Sequence, residues 1–242
     1  MNDPVITLDL IQLSVALVPA LVTLIILWRW SMNVKNAAYA LGRMLLQLLA
    51  IGYVLSWIFG ASNGALIAIV LLIMASASAW IALRTVPEQR WRLMWAASAG
   101  VLLGGGLTLA VVTQLVLALD PWFLPRYMIP LAGMAFANAM TAISLSAERL
   151  YAELDHGVGW EHARGTAFQA AMIPVVNSLF AVGLVSLPGM MTGQILSGVS
   201  PLVAARYQIM IMCLIFAASG ISVAVFLSLC RERDEPEVIA DA

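Results

Sequence analysis

Long apolar runs, rather than alternating apolar and polar positions, dominate this chain. They fall at about 8–28, 37–59, 63–83, 93–119, 128–147, 168–197 and 204–230. Each offers roughly the 20 apolar residues that carry a helix across a bilayer. Their continuity argues against a membrane β-barrel, whose strands alternate residue by residue. The pattern predicts an all-α fold, a polytopic membrane helix bundle of about seven transmembrane helices, with residues 1–242 forming a single membrane domain. The stretch Gly60-Ala61-Ser62-Asn63-Gly64 separates the second run from the third, and Pro188-Gly189 marks where the sixth would break. No basic residue precedes the first run, which predicts a retained first span rather than a cleaved signal peptide.

The basic residues sort between the connections. Arg29, Lys35 and Arg43 flank the first, Arg84, Arg90 and Arg92 the third, Arg149 and Arg164 the fifth, and Arg231 and Arg233 the tail. Only Arg126 and Arg206 fall at the alternate connections. Positive loops stay cytoplasmic, so the N-terminus is expected outside and the C-terminus in the cytoplasm. The expected home is the bacterial inner membrane, with the lipid bilayer as the first partner.

Composition sharpens this picture. The chain is 62% hydrophobic and 10% charged, against about 25% charged in an ordinary soluble domain. A net charge of −1 without a clustered basic face predicts no nucleic-acid partner. The single lysine, Lys35, lies in a connection. It cannot be the intramembrane Schiff-base lysine of a retinal protein, and no phosphate-binding Gly-x-x-x-x-Gly-Lys-Ser/Thr loop is present. Any ATP-driven activity therefore needs ATP on a partner subunit, and no cofactor is expected on this chain. The two histidines, His156 and His162, share the hydrophilic fifth connection, away from any intramembrane serine, so no catalytic site is expected. Cys213 and Cys230 read as small residues packed in a membrane helix.

Uncharged polar residues and irregularities are what remain inside the runs. Arg43 and Gln47, four apart, share a helical face and are a candidate gating or cavity pair. The fifth run contains Pro130, Gly133 and Asn138; the sixth contains Pro174, Asn177, Ser178 and Gln194. On a continuous helix, Gly183, Ser186, Met190, Gly193 and Ser197 would form a stripe permitting close helix approach, with Gly189 and Gly193 as a further small pair. Pro188 would free a carbonyl there, making Gly183, Ser186, Pro188, Gly189, Met190 and Gly193 a hinge or packing seam. Asn138, Asn177, Ser178 and Gln194 are the candidate lining of a translocation path. Met128, Met134, Met140, Met172, Met190 and Met191 crowd the same two runs, as flexible packing or as soft metal ligands; the metal is unknown.

Several of these blocks carry a resemblance. Pro130-x-x-Gly133-Met134 followed by Asn138-Ala139-Met140, the run Val182 through Leu187-Pro188-Gly189-Met190-Met191 to Leu196, Gly198-x-Ser200-Pro201 and Tyr207-Gln208-Ile209 resemble the FetB-type permeases of ABC transporters. So do Arg43-x-x-x-Gln47-Leu48 and Gly52-Tyr53-Val54-Leu55. The resemblance covers most of the chain. It implies a permease domain that works as a homodimer with a P-loop ATPase subunit and exports a metal ion, iron in the bacterial members, while plant members are linked to aluminium tolerance.

Two departures stand out against that family. Its Asp and Lys in the sixth run are Asn177 and Phe180 here, so both charges are lost together. Its longer cytoplasmic excursion, which resembles an ATPase-coupling segment, has as counterpart only His156 to Ala163, with Gly157 and Ala163 kept and Trp160 as the expected contact. The expectation is metal export with a separate ATPase. The alternatives are a diverged, non-transporting interaction or regulatory subunit, and a secondary carrier, which the lack of intramembrane carboxylates disfavours.

Overall fold

The computed structural model describes residues 9–30, 34–60 and 63–234. The N-terminal Met1-Asn2-Asp3-Pro4 and the Ala61-Ser62 pair of the expected turn lie outside these, as do the side chains of Arg231 and Arg233. The chain divides into two compact units, Met1–Ala61 and Ser62–Ala242.

In the first unit, α1 (Leu10–Ala16) and α2 (Val18–Arg29) make up the first apolar run, and α3 (Val34–Ile58) the second. The α1–α2 boundary falls at Leu17 because Pro19 sits in the first turn of α2, where a missing N–H costs nothing. Helix α3 presents Leu46, Leu48, Leu49 and Tyr53 outward. An apolar exterior of this kind suits lipid.

The second unit begins at α4 (Gly64–Ala82), capped by Asn63, whose side chain accepts from the Ala65 N–H at 2.9 Å. Helix α5 (Arg90–Gly100) leads into π-helical turns at Val101–Gly106 and Val111–Val116, separated by α6 (Leu107–Ala110). Then come α7 (Pro125–Asp155), α8 (Trp160–Ala181), the short α9 (Gly189–Leu196) and α10 (Pro201–Asp234). Among the described residues no strand forms; an isolated bridge joins Val182 and Ser186.

Packing in this unit centres on α10 and α7. Gly100 and Gly104 oppose Phe226 and Ser222 of α10, while Gly100 and Gly105 oppose Ile143 and Phe136 of α7. Ascending numbers on one side meet descending numbers on the other, so α5 and its π-helical continuation run antiparallel to both. The approach is close: a Cβ built on Gly104 would lie 2.7 Å from Ser222 Cα. Apolar burial earns little where the surrounding lipid is equally apolar, and close contact of small residues takes its place. Alanines at 163, 167 and 171, four apart, bury one ridge of α8, which packs chiefly on α7.

Among the described residues, six helical stretches are long and apolar enough to cross a membrane: Ile11–Arg29, Val34–Leu55, Gly64–Thr85, Pro87–Val116, Pro125–Asp155 and Pro201–Cys230. The expected sixth run, 168–197, is not one of them. Its helix starts earlier, at Trp160, is diluted by Arg164, Gln169, Asn177 and Ser178, and ends at Ala181. The fifth connection also differs from the expected hydrophilic loop. Helix α7 continues eight residues past the expected end of the fifth run at 147, to Asp155, and meets α8 through the short turn 156–159.

Candidate functional site

The interrupted sixth run has a specific cause. After α8 ends, Gly183 adopts φ +85°, a conformation open to glycine at little cost, and its N–H donates to the Ser186 carbonyl at 3.0 Å. The Ala181 carbonyl accepts from the N–H groups of Leu184, Val185 and Ser186 at 3.2, 2.8 and 3.1 Å. Leu187 precedes a proline and is biased away from helix. Pro188 then caps α9, accepting from the Thr192 hydroxyl at 3.2 Å. Gly198, at φ +90°, closes α9, and Pro201 opens α10.

This corrects the small-residue stripe. Gly183 and Ser186 lie in the non-helical segment 182–188, whereas Met190 and Gly193 are on α9, so these positions share no helical face. Pro188 begins a helix and kinks none. Cβ atoms built on Gly183, Gly189 and Gly193 meet nothing within 4 Å among the described residues, so no helix of this unit presses on them. The proline positions inside helices are Pro130 in α7 and Pro174 in α8.

Pro174 sits at the wall of a small cavity of about 100 Å³, shared with Asn138, Thr141, Ala142, Val175 and Ser178. Two of the expected path residues, Asn138 and Ser178, are thereby brought together from α7 and α8. The Asn138 amide donates to the Met134 carbonyl at 2.8 Å, and the Thr141 hydroxyl donates to Ala137 at 2.9 Å. Each group thus keeps an oxygen free to accept. Pro174 also withholds an N–H from the Ala170 carbonyl. The result is a set of uncharged oxygens around space for about three waters. Such a set can replace part of a cation's hydration shell without holding the ion by charge.

The other expected path residues lie elsewhere. Asn177 is exposed and does not line this cavity. Gln194 is on α9, with a buried Oε1 that has no hydrogen-bond partner. Arg43 and Gln47 share an exposed face of α3 in the first unit.

A larger cavity, about 420 Å³, lies between the end of α8, α9 and the first half of α10. Its walls include Leu179, Met191, Gln208, Met212, Cys213 and Phe216. Cys213 is exposed rather than packed, which corrects the expectation from sequence; Cys230 is buried as expected.

The residues of the expected coupling segment stand at the turn between α7 and α8. Gly157, at φ +77°, makes that turn. Trp160 opens α8, its indole N–H buried without a partner, and Ala163 is fully buried. Ion pairs form within each helix, Arg149–Glu153 along α7 and Arg164–Glu161 along α8, and the Arg92 guanidinium of α5 donates to Tyr151 Oη of α7 at 3.1 Å. At about 1.5 Å per residue, the 31-residue α7 is about 46 Å long, well over the roughly 30 Å hydrocarbon core. A helix of this length does not fit within the hydrocarbon core alone.

Apolar spans, a self-satisfied break in the sixth run and a charged hairpin define a polytopic helical membrane protein. The chain belongs to the UPF0014 family, described as an uncharacterised protein family, whose profile matches residues 10–233. It is 35% identical over 213 residues to the UPF0014 membrane protein slr1647 of Synechocystis, covering 80% of this chain and 81% of that one. It is 32% identical over 206 residues to the Escherichia coli protein named "Probable iron export permease protein FetB", covering 79% and 78%. Identity is also 32%, over 240 residues, to the protein ALUMINUM SENSITIVE 3 of Arabidopsis thaliana, covering 91% and 85%. No solved structure matches.

Proposed function

We propose that this chain is the membrane permease subunit of an ABC-type transporter that exports a metal ion, with ATP bound and hydrolysed by a separate P-loop ATPase. The observation that carries this reading is the uncharged oxygen cradle of Asn138, Thr141 and Ser178 beside Pro174, in a chain whose E. coli relative is named as an iron export permease. Weak, uncharged solvation suits passage, because an ion must leave the site as readily as it enters. Membrane-spanning permease domains work in pairs in this class, so the functional unit is a homodimer with two ATPase subunits, set in the bacterial inner membrane. The reading counts α8 with the 182–188 break as a seventh, discontinuous crossing, leaving the N-terminus outside and the C-terminus in the cytoplasm. A break of that kind is tolerated where it lines a cavity, and discontinuous helices are common where transporters bind cargo. The α7–α8 hairpin, projecting past the lipid with Gly157 and Trp160 at its tip, is the surface for the ATPase.

The test is metal efflux from loaded cells that carry the chain with its ATPase. Asn138→Leu fills the cradle and is expected to abolish efflux while leaving the chain membrane-inserted. Unchanged efflux in that variant would remove the cradle from the path.

A further inference from the structure

The connection between α4 and α5 carries three arginines, and two of them are engaged. Arg90 donates to the Trp80 carbonyl at 2.7 Å, and Arg92 donates to Tyr151 Oη at 3.1 Å. Arg84 is exposed and has no hydrogen-bond or ion-pair partner among the described residues. It follows directly on the apolar α4, in the short 3-10 turn Leu83–Thr85, and so stands at the end of the apolar stretch. There it borders a cavity of about 210 Å³ against α7. Thr85 and Ser144 supply hydroxyls to this cavity, while Ile81, Met140 and Leu145 give it an apolar wall. Thr85 Oγ1 donates to the Ser144 carbonyl at 3.2 Å and lies 3.4 Å from Ser144 Oγ, so the two hydroxyls stand side by side. A guanidinium with hydroxyls beside it suits a phosphate group. A second cavity, about 310 Å³, continues along α7 and shares Thr85. Its charged lining is acidic: Glu88, Glu148 and Asp155, none of which forms an ion pair among the described residues. No three His, Cys, Asp or Glu side chains among the described residues are grouped to hold a metal ion, so an organic cation is the fitting counter-charge.

We propose that the two cavities form one binding site for an amino-phospholipid of the phosphatidylethanolamine class, with its phosphate on Arg84 and Ser144 and its ammonium on Glu148 and Glu88. Order along α7 carries the assignment. Met140, Ser144 and Glu148 are four apart and share one face of the helix. Apolar wall, hydroxyl and carboxylate thus succeed one another as acyl chain, phosphate and ammonium do in the lipid. At about 1.5 Å per residue, Ser144 and Glu148 are about 6 Å apart along the axis, a span that the two-carbon bridge between phosphate and ammonium covers with a hydrogen bond at each end. Charge selects the headgroup. A phosphatidylglycerol head brings only negative charge and meets repulsion from Glu88 and Glu148. The quaternary ammonium of phosphatidylcholine has no N–H to donate to a carboxylate, whereas a primary ammonium has three. Position favours a lipid over a soluble ligand: Arg84 ends an apolar helix, where a long basic side chain reaches the headgroup level, and Leu145 is exposed beside the cavity. The site lies outside the export reading and does not depend on it.

The test is native mass spectrometry of the full purified chain in mild detergent, supplied in turn with phosphatidylethanolamine, phosphatidylglycerol and phosphatidylcholine of the same acyl chains. One phosphatidylethanolamine per chain is expected to be retained, roughly tenfold over either competitor. Glu148→Gln removes the acidic partner alone and is expected to bring the ethanolamine and glycerol lipids to nearly equal retention. Arg84→Gln is expected to weaken all three by roughly tenfold. Both residues are exposed, so neither change disturbs the core. Arg164→Gln removes an arginine of α8 that lines neither cavity and is expected to leave retention unchanged. Equal retention of phosphatidylethanolamine and phosphatidylglycerol by the wild-type chain, or a preference unaltered in Glu148→Gln, would overturn the proposal. So would a loss in Arg164→Gln as large as in Arg84→Gln, because the effect would then be one of general charge. Displacement of the lipid by soluble phosphoethanolamine at equal concentration would identify a free ligand in place of a lipid and would also overturn it. Binding is read without an ATPase, so its failure leaves the export reading untouched.

Discussion

The closest helix approach in the second unit gives a test with its control two residues away. Gly104→Ala adds a methyl group that would lie 2.7 Å from Ser222 Cα, so the obstacle is main chain and cannot rotate aside. Gly106→Ala adds the same group, in the same π-helical turn, with nothing within 4 Å. Both substitutions remove glycine's excess unfolded-state freedom, a gain of about 0.4–1 kcal/mol. Only Gly104→Ala then pays for separating α10 from α5 and its continuation, and overpacking of this kind costs about 1–3 kcal/mol. The two variants should therefore differ by about 1–3 kcal/mol, with Gly106→Ala at or above wild type. Equilibrium unfolding in mixed detergent and SDS micelles, followed by tryptophan fluorescence, reads the difference. Equal stability of the two would refute the close packing of Gly104 on Ser222 and with it the antiparallel register of this unit.

Further outcomes follow from other contacts. Ser222 and Ser219 have buried hydroxyls without partners, so Ser222→Ala should leave stability unchanged or raise it, as read by the same unfolding assay. Gly183→Ala forces a Cβ into φ +85° and should cost about 1–2 kcal/mol, whereas Gly193→Ala on α9 should be near neutral or slightly stabilising. Arg90 sets its guanidinium 3.5 Å from the Trp80 ring centroid and donates to the Trp80 carbonyl at 2.7 Å; Arg90→Gln should lower stability by about 1–2 kcal/mol and shift tryptophan emission.

Much of the fold was legible because hydropathy reports length directly. The third run, 63–83, corresponds to α4, and the seventh, 204–230, lies within α10. The sixth was misread for a physical reason: Val182-Gly183-Leu184-Val185-Ser186-Leu187 is almost as apolar as a helix, and hydropathy does not register φ. The sequence places the break at Pro188-Gly189 and carries Gly183 and Ser186 on the helix before it, whereas α8 already ends at Ala181 and Gly183 turns the chain. The π-helical turns gave a weaker signal, the triple glycine 104–106. At the site, Asn138 and Ser178 could be nominated from their polarity within apolar runs, but Thr141 and Pro174 join them only through the pairing of α7 with α8. Gln208 stood in a recognised block, Tyr207-Gln208-Ile209, yet its place beside Met191 and Cys213 depends on the return of α9.

The central claim is that this chain works as the membrane half of an ATP-powered exporter. Its most direct test is affinity capture of the tagged full chain from native membranes in mild detergent, followed by sizing and an ATPase assay. The account predicts a complex of two copies of this chain with two P-loop ATPase subunits that hydrolyses ATP. A chain recovered intact and monodisperse, with no ATPase subunit and no hydrolysis, would contradict it.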